Sequence, residues 1–317
     1  MTYDKRDAKA HARAHMRGIW AAALTPMLPD FAVDEAGFRR NIRHWVDDLG
    51  IAGLFINGKQ GEFFSMSLAE RKRSFEIAAE ECRGRAQTIM SCSDQNFDTV
   101  LELGRHAEAV GADYIVVHAP VLHFIHDRDD TLFNYYRLLC EELRIGIAMW
   151  SHPDSGYIMS PELCARIAEL PNIVAIKYSV DRQHYRRLTE LAGDSILVST
   201  ASEEEWLDNI VELGWQLYLC SSPPYLLQTK HDRRMHDYTE LAFAGRIEEA
   251  RKVRDSLDPV RRALKQTRPG GKPQAHQKYW QELLGQAGGP VRPPLLQLTD
   301  AEKAATRAAF EGCGLTL

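Results

Sequence analysis

A chain of 317 residues is long enough for one large α/β domain with an appendage, and two independent domains are not required. Its 44% hydrophobic and 26% charged residues suit a soluble globular protein, and no apolar run approaches the roughly 20 residues that span a bilayer. A formal net charge of −5, with no long basic stripe, excludes an electrostatic reason to expect nucleic acid as a partner.

The first stretch is polar and basic, with Lys5, Arg6, Lys9, Arg13 and Arg17, and it lacks the apolar core of a signal peptide. Residues 1–17 are therefore expected to be a polar extension, and the protein to be cytoplasmic. Cys82, Cys92, Cys140, Cys164, Cys220 and Cys313 show no CxxC spacing and fall mostly in apolar patterns, which suits reduced thiols filling a core.

Short apolar runs then alternate with amphipathic stretches, the pattern of repeated βα units on a parallel sheet. Eight runs are predicted as strands, at 18–27, 53–59, 87–93, 113–120, 145–152, 173–179, 195–201 and 215–222. Each precedes a helix candidate. Ser67 with Glu70 and Ser202 with Glu205 have capping-box spacing, and Ser160 before Pro161 places a cap ahead of a first-turn proline. An open doubly wound sheet is the alternative, but Leu24-Thr25-Pro26 follows the first strand where a glycine fingerprint would stand. Closure into a (β/α)8 barrel over 18–242 is the expectation.

Beyond the eighth run the pattern is helical, at 224–242, 247–265, 276–285 and 299–312, and Thr299 with Glu302 again has capping-box spacing. The segments 266–274 and 288–294 are loops by their glycines and prolines. Residues 243–317 thus form a C-terminal helical extension.

In a barrel, alternate strand residues face inward and the active site lies at the C-terminal strand ends. On 173–179, Ala175 and Lys177 share one face while Val174, Ile176 and Tyr178 share the other. A lysine within Val-Ala-Ile-Lys-Tyr does not suit a solvated surface. Facing inward, it would lose water, lower its pKa and become an amine able to attack a carbonyl. The structural alternative is a lysine paired with a carboxylate such as Glu62.

The chain resembles, over 18–317, the family of dihydrodipicolinate synthase and N-acetylneuraminate lyase, which includes hydratase-aldolases. The pieces that carry the resemblance are Leu24-Thr25-Pro26, Gly58-Lys59-Gln60-Gly61-Glu62, Pro153, Ile176-Lys177 and Gly289-Pro290-Val291-Arg292-Pro293-Pro294. Each is weak alone, and their order around eight strands makes them specific. The resemblance puts Lys177 at the family's imine lysine, condensing with the keto group of pyruvate or a related 2-keto acid. It also implies a homotetramer or homodimer.

Three departures stand beside it. Where the family has a proton-relaying tyrosine at the end of strand five, this chain has Trp150, and an indole is a donor only. Lys59-Gln60 replaces the hydroxyl pair after strand two, and Val121-Leu122 replaces the tyrosine pair after strand four. Ordinary dihydrodipicolinate synthesis and sialic acid cleavage are therefore not expected.

Candidates to substitute for the relay are Lys59, which shares strand parity with Phe55 and Asn57, and His123, Ser151 and His152 near the ends of strands four and five. Lys59 could depress the Lys177 pKa or grip a carboxylate; alternatively it pairs with Glu62 or faces solvent. Trp150 is either core or a wall against a flat substrate. Gln60, Gly61, Ser151, His152, His123 and Ser221 are taken as substrate contacts, with Lys177, Trp150 and Lys59 as the catalytic set.

His118, His123, His126 and His152 lie near two adjacent strand ends, but no Asp/Glu pattern completes a ligand set. Neither metal nor cofactor is expected. The expected activity is that of a Schiff-base-forming lyase or aldolase. The alternatives are an imine-dependent decarboxylase, dehydratase or deaminase, or a non-catalytic keto-acid-binding barrel.

Overall fold

The computed structural model describes residues 2–122, 126–155, 157–200, 202–220 and 223–317. All eight apolar runs form strands, each shorter than its sequence limits: β1 (Gly18–Ala22), β2 (Gly53–Ile56), β3 (Gln87–Ser91), β4 (Tyr114–His118), β5 (Gly146–Ser151), β6 (Ile173–Tyr178), β7 (Leu197–Ser199) and β8 (Leu217–Leu219). The helices are α1 (Ala8–His15), α2 (Glu35–Arg43), α3 (Leu68–Cys82), α4 (Phe97–Val110), α5 (Arg128–Glu142), α6 (Pro161–Ala168), α7 (Arg182–Ala192), α8 (Trp206–Leu213), α9 (Arg234–Phe243), α10 (Ile247–Asp255), α11 (Asp258–Gln266), α12 (Pro273–Leu283) and α13 (Asp300–Glu311). The sheet order is β7-β6-β5-β4-β3-β2-β1-β8, and a helix follows every strand, which is the order of the (β/α)8 fold with helices added at its C-terminal end.

The helix starts are written in local side chains. Ser67 and Thr299 close full capping boxes with Glu70 and Glu302, and Ser160 Oγ accepts the Leu163 amide ahead of Pro161. Ser202 does not cap its helix. Thr200 Oγ1 takes the Ser202 amide and donates to the Glu205 carboxylate, so a turn intervenes and α8 begins only at Trp206.

The stretch expected to be one helix over 224–242 is instead a short 3-10 turn at Pro224–Leu226, then a tight antiparallel bridge between Thr229 and Asp232, then α9. Asp232 holds the bend by taking Arg234 on its two oxygens, at 2.7 Å each. Pro259, which lacks an amide donor, sits in the first turn of α11 and divides the 247–265 stretch into α10 and α11.

The chain divides into two compact units. The first comprises Met1–Gly18 and Gln87–Leu219. Its strands pair in parallel, with Val116 beside Ala148, Ala148 beside Ala175 and Ala175 beside Leu197. The N-terminal segment, read as a polar extension, folds as α1 against this unit. It buries Ala8 and Ala12, Lys9 Nζ donates to Ser195 Oγ at 3.0 Å, and Arg13 reaches Gly193 O at 2.7 Å. His11 Nδ1 lies 2.6 Å from the Tyr114 hydroxyl.

The second unit comprises Ile19–Ala86 and Cys220–Leu317. Here β1 and β2 pair in parallel, Trp45 stacks on Tyr225 with ring centroids 4.0 Å apart, and the Tyr225 hydroxyl donates to Ala22 O. The 288–294 loop lies close against the turn after β1. A Cβ at Gly289, whose φ is +79°, would stand 1.8 Å from Met27 O, so only glycine fits there. All six cysteines are buried and none is in a disulfide.

Candidate active site

Strand register in the first unit brings four residues to one level. His118 pairs with Trp150, Trp150 with Lys177, and Lys177 with Ser199. Paired residues of parallel strands point to the same face, so these four side chains leave the sheet together, one layer beyond Val116, Ala148, Ala175 and Leu197. Tyr178 points to the other face, where its hydroxyl donates to Met159 O ahead of α6. The parity inferred for Ala175 and Lys177 thus holds.

Lys177 is 2% exposed. Its Nζ lies 5.2 Å from the centre of the Trp150 ring, and the His118 ring meets that indole edge-on at 5.1 Å. Trp150 is therefore both buried and in contact with the lysine. Ser199 Oγ accepts the Leu219 amide and donates to Thr200 O, which commits it to structure.

The residues at the end of β5 and just after it are turned to local roles. Ser151 Oγ accepts the Met159 amide at 3.1 Å, and Ser151 O accepts from Ser179 N. His152 is half-buried, with Nδ1 accepting the Asp154 amide at 3.1 Å and lying 3.3 Å from Asp154 Oδ1. His123 and Ser221 lie outside the described residues.

In the second unit, β2 ends at Ile56 and Asn57 turns left-handed, with φ 53°. This breaks the alternation that was extended from Phe55 to Lys59, so strand parity does not orient Lys59. Lys59 and Gln60 sit in a turn whose far end, Glu62, is again left-handed at φ 59°. Each such non-glycine conformation costs roughly 1 kcal/mol or more and needs outside support.

That support comes from the turn after β1 and from the C-terminal elements. Thr25 Oγ1 donates to Gly61 O, and Gln274 Nε2 to Lys59 O at 3.3 Å. Glu62 and Lys278 are both fully buried and stand 2.5 Å apart, while Glu62 Oε2 also accepts the Arg292 amide and Lys278 Nζ donates to Pro290 O. Burial lowers the Lys278 pKa, and Glu62 opposes that shift. The carboxylate weighed as a partner for Lys177 or Lys59 is thus committed to Lys278. Arg292 in turn clamps Glu70, pulling that carboxyl down to about 2, chiefly through the side-chain hydrogen bond.

Two features escaped sequence reasoning. His118 was considered only among possible metal ligands, although its parity with Tyr114 and Val116 and its pairing with Trp150 mark it as a member of the Lys177 layer. The Glu62–Lys278 pair joins residues 216 positions apart, and nothing in the local pattern of α12 marks its lysine as buried. Among the described residues no group of three or more His, Cys, Asp or Glu side chains could hold a metal, and no helix is long and apolar enough to cross a membrane.

Comparison with known proteins adds a second line of observation. Residues 15–312 match the dihydrodipicolinate synthetase family. The chain is 28% identical over 294 residues to the 4-hydroxy-tetrahydrodipicolinate synthase of Methanothrix thermoacetophila, covering 92% of this chain and 95% of that one. It is 27% identical to a probable 5-dehydro-4-deoxyglucarate dehydratase of Bradyrhizobium diazoefficiens, covering 90% and 88%. Among solved structures, a prophage protein of the dihydrodipicolinic acid synthase family from E. coli, in complex with pyruvate, superposes with a TM-score of 0.84 at 21% identity, covering 95% of this chain and 99% of the other.

Proposed function

Because the chain belongs to the dihydrodipicolinate synthetase family, whose membership supports lyase chemistry, we propose that it is a carbon–carbon lyase acting through an imine between Lys177 and pyruvate or a related 2-keto acid. The observation that carries this reading is a lysine 2% exposed at the C-terminal end of β6, set against an indole face in a layer of strand-end residues. Removal from water disfavours an ammonium relative to the neutral amine, and the neutral amine is the nucleophile that imine formation needs. Trp150 then forms a flat wall beside the adduct.

Lys59 and Gln60, which replace the family's hydroxyl pair after strand two, and Gly61 are our candidates for contact with the keto-acid carboxylate, and Ser151, His152, His123 and Ser221 are further candidate contacts. The similarity to a probable dehydratase favours a second reading, in which the same imine leads to loss of water rather than cleavage of a carbon–carbon bond. The assembly that the resemblance implies is a homotetramer or homodimer, and a strictly monomeric mass by light scattering at micromolar concentration would remove it.

The test of the imine is borohydride reduction with pyruvate and a panel of 2-keto acids, followed by intact mass and peptide mapping. A stable adduct at Lys177 that disappears in Lys177→Ala supports the reading. Labelling that persists undiminished in the variant refutes it.

A further inference from the structure

An imine at Lys177 needs a group that moves protons at the carbon beside it, and the chain has no tyrosine at the usual places. We propose that His118 is that acid–base group, an inference that rests on the Lys177 reading above. Of the four side chains in the layer, Lys177 becomes the imine, Trp150 can only donate, and Ser199 Oγ is engaged with the Leu219 amide and Thr200 O. His118 alone has a side chain that exchanges protons near neutral pH.

Its placement suits the task. His118 lies two strands from Lys177, a separation of roughly 10 Å between backbones, and both side chains leave the same face of the sheet. Trp150 touches both, meeting the imidazole at 5.1 Å and the amine at 5.2 Å, so a small planar adduct on Lys177 that lies along the indole extends toward the imidazole. The strand end is fixed from behind: the His118 amide donates to Ser93 Oγ at 2.9 Å, and the Tyr136 hydroxyl donates to Val117 O.

The step balances with pyruvate and one proton from solvent. Neutral Lys177 Nζ adds to C2, and the keto oxygen leaves as water with one amine proton and the solvent proton, giving the iminium. Neutral His118 accepts a proton from C3. The C–H electron pair becomes the C2=C3 bond, and the C=N π pair returns to nitrogen, leaving an enamine and an imidazolium. Return of a proton from the imidazolium reverses the step, so in deuterium oxide the methyl group of pyruvate gains deuterium without any second substrate.

The experiment compares wild type, His118→Gln and His118→Ala, reading the borohydride adduct by mass and methyl exchange of pyruvate by proton NMR in deuterium oxide. We expect the adduct in all three and an exchange rate about 10² to 10⁴ lower in the variants, as for loss of a positioned acid–base group. Added imidazole should restore part of the rate in His118→Ala and none in His118→Gln, whose side chain fills the space. Exchange within a few fold of wild type in the variants overturns the role of His118 and leaves the Lys177 reading intact, as does loss of the adduct together with exchange. A wild type that forms no adduct overturns both.

Discussion

Lys278 meets a carboxylate at 2.5 Å and a carbonyl at 2.9 Å, whereas Lys177 turns its amine toward an indole ring at 5.2 Å, although both lysines are buried. Each unit holds one of them. In the second unit the charge is neutralised by an ion pair that ties α12 to the turn after β2, so the lysine is a fastener. In the first, the lysine stands on β6 beside the Trp150 indole, where the imine proposed above would form. Burial alone therefore does not distinguish the two lysines.

The largest effect that sharpens this contrast is expected from Lys177→Met, which removes the amine and should abolish adduct formation while the variant still folds. Mass spectrometry and urea unfolding measure the two halves. A loss of several kcal/mol in this variant would mean that Lys177 is a fastener too.

Lys278→Met should do the reverse. It leaves the Glu62 carboxylate buried without its partner, at a cost of about 3–5 kcal/mol, and the double variant with Glu62→Gln should recover part of that. Denaturant midpoints of the single and double variants decide this. Equal losses in both would show that the pair is not coupled.

A moderate effect is expected from Lys59→Met, which should weaken keto-acid affinity with little change in the denaturant midpoint. Calorimetric titration with pyruvate, done on the Lys177→Met background so that only non-covalent binding is read, would detect it. Unchanged affinity would return Lys59 to the surface.

The smallest effects lie in the pH dependence of the second unit. His276 is held neutral by burial, its pKa lowered to about 4 from an ordinary 6.5. The stability it contributes is present above about 6.5 and is lost as pH falls toward 4. Glu70, lowered from 4.5 to about 2 by Arg292, contributes stability above 4.5 that is lost as pH falls toward 2. Thermal melts across both windows should show two separable declines, the first removed in His276→Gln and the second in Glu70→Gln. The Glu70 decline is the smaller in energy because that carboxylate is partly solvated.

The contrast also explains what the chain revealed before its structure was known. Strand six was legible because a parallel strand buried on both faces is a continuous apolar run, and a lysine inside Val-Ala-Ile-Lys-Tyr violates it. Ser67, Ser160 and Thr299 were legible because a cap acts over three residues. Ser202 misled because the same spacing was satisfied by Thr200, whose hydroxyl reached Glu205 first.

Long-range features stayed hidden for one physical reason: pairing across the chain leaves no local period. His118 joins Trp150 only through strand register, and Lys278 finds Glu62 only after α12 has packed. The strand rule also failed where it was carried past Ile56, because Asn57 adopts a positive φ that no alternation anticipates. Of the candidate site, the lysine and its tryptophan wall were readable, and the imidazole beside them was not.

The indole between His118 and Lys177 makes the chain its own optical probe. Trp150 is one of six tryptophans, and its ring faces the amine whose charge and substituents would change on imine formation. The difference in emission between wild type and Trp150→Phe isolates that one fluorophore. Its quenching on mixing with a keto acid would time adduct formation in a stopped-flow instrument, with no label attached to protein or ligand.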